Sequence, residues 1–195
     1  MGMLQTVPVT LPDGVAITLR SAQPADAGAV VLAARRMFAQ SDTVLTQADE
    51  FTMTVDEESA FLATRGQSVT GLFVIAEAGG PGCGEAGGAA ERIIGIGGLD
   101  PAHRRRAAHN VTLGLMVDIA WQRRGVGGAL MWAMMGWARA NPAVRRVQLE
   151  VVASNTHAVR LYERHGFVTE GRRRGCFQRQ PGVFEDDLIM GADVA

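Results

Sequence analysis

The sequence has few cysteines, no excess of basic side chains and no long apolar run. Its two cysteines, Cys83 and Cys176, lie in neither a CxxC pair nor a metal-like spacing, which favours a reduced, cytoplasmic protein. No apolar run approaches the roughly 18 residues of a membrane-spanning helix. The first residues also lack the basic and then apolar pattern of a secretion signal. We therefore expect neither a membrane partner nor secretion.

The charge balance argues against nucleic-acid binding. Nineteen Lys and Arg side chains against twenty Asp and Glu give a formal net charge of -1, whereas nucleic-acid-binding proteins generally have a basic excess. Two runs of three arginines, at residues 104–106 and 172–174, are most simply solvated loop or strand ends. The four histidines form no recognisable zinc-ligand pair, so we expect no metal site.

Hydrophobic periodicity predicts a single domain in which helices and strands alternate. The 195 residues, 47% of them hydrophobic, suffice for a substantial core, and no linker or repeat divides residues 1–195. Helices are predicted to begin near Pro24, Thr54, Val126 and Asn155. Strands are predicted at residues 15–20, 72–77, 93–99, 109–117, 147–151, 167–177 and 184–190. Residues 78–90, which include six glycines, are expected to form a mobile hairpin loop.

One stretch, residues 112–130, carries the clearest functional signal. It reads T-L-G-L-M-V-D-I-A-W-Q-R-R-G-V-G-G-A-L, which predicts a strand, a polar turn and the start of an apolar helix. The first turn of a helix has unpaired backbone N–H groups and a partial positive charge, so it favours a phosphate. Glycines let an anion approach the backbone, although such turns also serve close packing alone. The loop has no lysine for a Walker A motif, and Leu130 stands where a dinucleotide fingerprint needs a small residue.

The remaining motif, Q-R-R-G-V-G, resembles the acetyl-CoA loop of the GNAT superfamily of N-acetyltransferases. A second segment, residues 149–167, reads L-E-V-V-A-S-N-T-H-A-V-R-L-Y-E-R-H-G-F and is similar to the next strand and helix of that superfamily. The resemblance implies an α/β fold with a mixed, mostly antiparallel sheet of about seven strands and helices on both faces. It also implies that the fourth and fifth strands in chain order form a splayed pair. The helical crossover between these strands independently predicts that they are parallel.

The resemblance also implies a cofactor site for acetyl-CoA, used as cosubstrate without a metal. The pantetheine arm of acetyl-CoA would lie between the parted strands and bond to the backbone of Val117, and its pyrophosphate would lie on the glycine loop. Asn155 would reach the arm from the other side, although it is also a plain helix-cap residue. The cofactor-binding residues would be Val117, Gln122, Arg123, Arg124, Gly125, Val126, Gly127, Gly128 and Asn155.

Two catalytic residues are predicted. Tyr162, the chain's only tyrosine, occupies the family's general-acid position, with core packing as the alternative interpretation. Glu150 lies on a strand between Leu149 and Val151, so it would point towards the cleft while they point into the core, and we expect it to act as the base. A solvated strand glutamate is the alternative. Other acidic residues that remain candidates for the base are Asp118, Glu57, Glu58 and Asp186.

Two positions depart from the family pattern. Ile119 replaces a proline that often follows the valine by two residues, and Trp121 stands where tyrosine or phenylalanine is usual. Both replacements are apolar, so they put the geometry of the loop in question and leave the cofactor as expected.

The sequence therefore predicts an acyltransferase that moves acetyl from acetyl-CoA to a primary amine of a small molecule or peptide. Two alternatives stay open: a catalytically silent module that binds acyl-CoA, and a transferase that uses a different acyl-CoA. The identity of the acceptor amine cannot be predicted from the sequence. In this superfamily the acceptor is selected by the first two helices and the last hairpin, where motifs are fewest. The resemblance also allows a homodimer.

Overall fold

The computed structural model describes residues 2–79 and 92–194, and within them the chain forms eight β-strands and four α-helices. From residue 80 onward, the loop predicted at residues 78–90 lies outside the described part. Short 3-10 turns occupy Pro24–Asp26, Arg105–Ala107 and Ile119–Trp121. In chain order the elements are β1 (Val7–Thr10), β2 (Ala16–Ser21), α1 (Ala27–Gln40), α2 (Val55–Gln67), β3 (Leu72–Ala78), β4 (Ile93–Pro101), β5 (Asn110–Val117), α3 (Val126–Ala140), β6 (Arg146–Val152), α4 (Thr156–Arg164), β7 (Val168–Gln180) and β8 (Val183–Asp193).

All eight strands form one mixed sheet in the order β1-β2-β3-β4-β5-β6-β8-β7. Neighbours are antiparallel except β5 and β6, which are parallel because α3 crosses between them. The predicted fold class is confirmed, with eight strands instead of about seven. The additional strand, β1, contains Pro8, which is tolerated because β1 lies at the edge of the sheet.

The parallel pair separates soon after it forms. Both strands lie within the described residues, and their ladder joins Asn110, Val111 and Thr112 to residues 146–148 and then ends. On their outer sides β5 stays paired with β4 as far as Val117, and β6 stays paired with β8 as far as Val152. A gap therefore opens in the middle of an otherwise continuous sheet, as the family resemblance implied.

Helices cover both faces of the sheet and bury two apolar clusters. One cluster lies under α3 and α4, and the other lies under α1 and α2. Helix α3 approaches β4 closely because Gly95 and Gly97 have no side chain, and a Cβ at either would come within 2.9 Å of Leu130 or Met134. Met134 is fully buried there, a burial that stabilises the fold by about 1.5–3 kcal/mol.

The helix starts follow the predicted sequence signals. Thr54 and Glu57 form the expected capping box of α2, in which each side chain bonds the other's backbone N–H. Helix α3 buries Leu130, Met131 and Met134, whereas Trp132 lies on its outer face and is 60% exposed. Among the described helices, none is long and apolar enough to cross a membrane.

Candidate active site

The gap between β5 and β6 opens into a cavity of about 180 Å³. It is lined by Thr112, Gln148, Leu149, Glu150 and Ile189. Thr112 and Gln148 are the last paired residues of the two strands, so the cavity begins where the ladder ends. A larger cavity, of about 360 Å³, lies between the N-terminal segment and Arg20 and contains none of the predicted site residues.

The predicted phosphate loop lies next to the end of β5. Arg123 has a φ of 58° and Gly125 a φ of 102°, so the chain turns through two left-handed residues directly before α3. Glycine adopts this conformation without the steric cost that a side chain brings. No side chain in the described residues caps the start of α3. The N–H groups of its first turn are therefore left for an anion.

The two glycines inside α3 have different surroundings. A Cβ on Gly128 would meet no heavy atom of the described residues within 4 Å, whereas a Cβ on Gly127 would lie 3.3 Å from Leu161 Cδ2 of α4. Gly127 therefore permits the packing of α3 against α4, and Gly128 leaves the surface beside the loop open. A bulky replacement at Gly127 would disturb the fold, so Gly128 is the better position to test an anion site.

The two arginines of the loop are also held differently. Arg124 forms an ion pair with Asp13 at 2.7 Å and stacks on Trp121 at 4.1 Å from the ring centroid. The hydrogen bond from Arg124 is the main reason that the pKa of the Asp13 carboxyl lies below its usual value. Arg123 forms no ion pair with any described residue. Arg124 thus fixes the loop to the β1–β2 turn, and Arg123 presents a charge that is available to a ligand.

Hydrogen bonds already engage three of the other predicted cofactor residues. The carbonyl of Val117 accepts a hydrogen bond from Gln122 Nε2 at 3.1 Å. Asn155 caps α4, because its Oδ1 accepts from the Ala158 N–H at 3.2 Å, and its Nδ2 donates to Thr43 Oγ1 at 3.2 Å. A bound ligand would therefore share or replace these bonds.

The two departures from the family pattern have structural reasons. The N–H of Ile119 donates to Gln40 Oε1 at 3.1 Å, a bond that proline could not make because it has no N–H. Trp121 provides the ring on which Arg124 stacks. The loop therefore keeps a defined geometry despite both replacements.

Tyr162 lies on α4 beside Leu161 and is 7% exposed. Its ring contacts that of Phe167, with 5.9 Å between centroids. Burial raises the pKa of its hydroxyl to about 12, so the phenol stays protonated throughout the neutral range. Its hydroxyl makes no hydrogen bond with the described residues. Both predicted interpretations, core packing and proton donation, are compatible with this environment.

Glu150 lies on the side of β6 predicted for it. Leu149 and Val151 are buried under α3 and α4, and the exposed Glu150 lines the cavity. Its carboxylate forms an ion pair with Arg173 of β7, which also contacts the buried Asp187 of β8. We call Glu150, Arg173 and Asp187 the three-strand ion cluster. The sequence did not predict it, since nothing in the chain indicates which residues of β6, β7 and β8 become neighbours.

Three of the four other candidate bases have structural partners. Glu57 caps α2, and Asp118 pairs with Arg36 of α1 at 2.6 Å. Asp186 accepts from the Gly175 N–H at 2.8 Å and pairs with Arg172, and these contacts lower the pKa of its carboxyl in that order.

Glu58 differs from those three. It is 4% exposed, its Oε1 has no partner within residues 2–79 and 92–194, and burial raises its pKa. No group of three or more His, Cys, Asp or Glu side chains in those residues could hold a metal ion.

A strand pair that parts beside a glycine-rich helix start is the arrangement implied by the resemblance, and comparison with known proteins agrees. The model of the acetyltransferase (GNAT) family matches residues 43–167, well over half of the chain. The chain belongs to this family. The predicted membership of the GNAT superfamily is confirmed, and this is a family of acetyltransferases.

Particular relatives are known in curated sequences and solved structures. The L-amino acid N-acetyltransferase AaaT of Escherichia coli (strain K12) is 35% identical over 102 residues, which are 50% of this chain and 60% of that protein. A GNAT-family acetyltransferase from Streptococcus pneumoniae is 27% identical with a TM-score of 0.82, covering 92% of this chain and 99% of that one. The yncA protein of Salmonella typhimurium, solved with its cofactor acetyl-CoA, shares the fold: it is 18% identical with a TM-score of 0.74, over 92% of this chain and 94% of that one.

Proposed function

We propose that this chain transfers the acetyl group of acetyl-CoA to a primary amine. The observation that carries the proposal is the gap in the sheet. The strands β5 and β6 stop pairing after Thr112 and Gln148, and the uncapped start of α3 lies at the end of β5. Parted strands expose backbone N–H and C=O groups that a ligand rich in amides can satisfy, and a helix start favours its phosphates.

The residues around the gap fit such a cosubstrate. Val117 and Asn155 would hold the amide-bearing arm, while residues 122–128 would hold the pyrophosphate. The open surface at Gly128 and the unpaired charge of Arg123 support this assignment, because a phosphate needs both backbone access and a cation. When bound, acetyl-CoA supplies an acetyl thioester.

Two side chains would serve the proton transfers. Glu150 would accept a proton from the incoming amine, directly or through water, since only the neutral amine is a nucleophile. Tyr162 would donate a proton to the departing thiolate, since a phenol is protonated at neutral pH. Direct attack of this kind needs no covalent nucleophile in the protein.

The amine of an L-amino acid is the acceptor that we propose first. The support is the Escherichia coli relative, which is described as an L-amino acid N-acetyltransferase and is 35% identical over the aligned part. Because the aligned part spans 60% of that relative, the acceptor is a proposal for this chain.

A direct assay tests the function. The protein is mixed with acetyl-CoA and, in separate reactions, L-amino acids, polyamines, aminoglycosides and short peptides, and the release of free CoA thiol is followed. We expect thiol release that requires an amine, and a product heavier by one acetyl group. If calorimetry shows acetyl-CoA binding but no amine is consumed, the chain is a silent acyl-CoA-binding module. Turnover with succinyl-CoA but not with acetyl-CoA would instead indicate another acyl donor.

A further inference from the structure

The three-strand ion cluster lies on the face of the sheet that lines the cavity. Val152, Asp187 and Arg173 are in register across β6, β8 and β7, and Glu150 is two residues before Val152. Side chains two residues apart on a strand share a face. The cluster therefore places the guanidinium of Arg173 beside Glu150, which lines the cavity.

Within the cluster, Asp187 accepts hydrogen bonds from Arg173 on the buried side of the guanidinium group. The Asp187 side chain is 3% exposed, and its Oδ2 accepts from Arg173 Nη2 at 2.5 Å and from Nε at 3.2 Å. Arg173 itself is 46% exposed. A buried carboxylate on one side and solvent on the other give the guanidinium a fixed orientation, with one side open to a ligand.

The ion pair between Glu150 and Arg173 lies on the open side of the cluster. Both side chains are about half exposed, whereas Asp187 is buried. The contribution of an exposed ion pair is small, on the order of 0–1 kcal/mol, so a competing carboxylate can displace Glu150 at little cost. The Arg173 Nη1 also forms no hydrogen bond with the described residues. The guanidinium group therefore retains free donors for such a ligand.

We propose that Arg173 binds the carboxylate of an α-amino acid acceptor and so determines the substrate class. This inference rests on the proposed function and adds the residue that recognises the acceptor. An α-amino acid carries an ammonium and a carboxylate on adjacent atoms, and the ion pair presents the two opposite charges side by side. One bound zwitterion replaces the internal pair with two new ones: its carboxylate binds Arg173, and its ammonium binds Glu150.

The exchange has a consequence for Glu150. In the free protein its carboxylate is engaged by Arg173, so an incoming amine has to compete for it. When the acceptor's carboxylate takes over Arg173, Glu150 is released beside the amine whose proton it accepts. An amine without a carboxylate leaves the internal pair intact and is therefore acetylated less well.

The experiment compares acceptors that differ only at the carboxylate. Acetyl-CoA turnover is measured with L-alanine, L-leucine and L-methionine and with their amides, for the unmodified protein and for Arg173→Gln. For the amino acids we expect kcat/KM to fall about 100-fold in the variant, mainly through a higher KM, because a charge-assisted fork is lost. For the amides we expect no loss of kcat/KM and instead a gain, because removing Arg173 also releases Glu150. Each variant is compared with the unmodified protein on the same acceptor, so differences in amine basicity cancel.

Arg172→Gln is the matched control. Arg172 is the neighbouring arginine on β7, it points to the other face, and it pairs with Asp186 instead of with Glu150 and Asp187. We expect it to change neither class of acceptor. Arg173→Lys keeps the charge but not the fork, so it should fold normally even if Arg173→Gln does not, with about a 10-fold loss for the amino acids alone.

Three results would overturn the inference. An equal loss for amino acids and amides would make Arg173 a general structural residue. Unchanged kinetics would mean that the carboxylate binds elsewhere. A weaker affinity for acetyl-CoA in Arg173→Gln would assign Arg173 to the cosubstrate. All three are distinct from a failure of the proposed function, in which the unmodified protein itself acetylates no amine, and the inference then falls with it.

Discussion

The two walls of the cleft are made of different kinds of interaction. The first, which we call the cofactor wall, consists of the end of β5, residues 122–128 and α4, and it offers mainly backbone groups and glycine surfaces. The second, the acceptor wall, is the three-strand ion cluster, in which charged side chains of β6, β7 and β8 meet. The cofactor wall can bind the constant part of a reaction, while the acceptor wall can vary in charge and shape.

This difference explains how far the sequence could be interpreted. The cofactor wall is local in the chain, so the spacing Q-R-R-G-V-G and the helix signals predicted the loop and the start of α3. Glu150 could be placed by the alternation along a single strand. Arg173 and Asp187 could not be assigned, because their roles depend on the register of β7 against β8, which has three irregularities. The hydrogen bond from Ile119 to Gln40 could not be predicted either, since 79 residues separate the two in the chain.

The largest effect is expected at Tyr162, on the cofactor wall. Tyr162→Phe removes the hydroxyl and keeps the ring contact with Phe167, so kcat should fall by roughly 10² to 10⁴ while the affinity for acetyl-CoA is preserved. Stopped assays with the best acceptor, together with calorimetry, measure the two quantities. Normal turnover would show that water donates the proton and that Tyr162 serves packing alone.

A change at Glu150 should affect the acceptor wall alone. Glu150→Gln keeps the shape and removes the basicity, so we expect about a 100-fold lower rate near neutral pH and an unchanged cosubstrate affinity. Free amines are mostly protonated at neutral pH, so alkaline buffer should restore part of the activity. A pH-rate profile that overlays that of the unmodified protein would move the base to another residue.

A charge at Gly128 tests the cofactor wall with a matched control on the same helix. Neither Gly128 nor Gly136 would bring a Cβ within 4 Å of another described residue, so both Gly→Glu variants should fold. Only Gly128→Glu places a carboxylate at the helix start, and repulsion of about 2 kcal/mol would weaken acetyl-CoA binding about 30-fold. If calorimetry gave equal affinities of the two variants for acetyl-CoA, the pyrophosphate would not bind at this loop.

The smallest effect on activity is expected from Glu58, which belongs to neither wall. Glu58→Met removes a buried carboxylate whose Oε1 has no partner in the described residues, so the free energy of unfolding should rise by about 1–3 kcal/mol at neutral pH. Burial raises the pKa of Glu58, so the folded state favours the protonated form of its side chain. The stability that this proton provides is complete below the ordinary pKa of a glutamate and is lost as pH rises through the raised pKa of Glu58.

Denaturant unfolding at several pH values measures this difference. The advantage of the variant over the unmodified protein should grow from acid to neutral pH, with kcat/KM unchanged. A loss of turnover in Glu58→Met would instead make Glu58 part of the acceptor wall and blur the distinction between the two walls.

The backbone N–H groups along the gap between β5 and β6 can also show whether a ligand is bound there. Beyond Thr112 and Gln148, the N–H groups that face the gap have no partner strand, so in the free protein they should exchange with deuterium faster than those bonded to β4 or β8. A ligand that lies between the strands would slow only this subset. Mass spectrometry of the exchanged protein could therefore locate the cosubstrate on an unlabelled, unmutated chain.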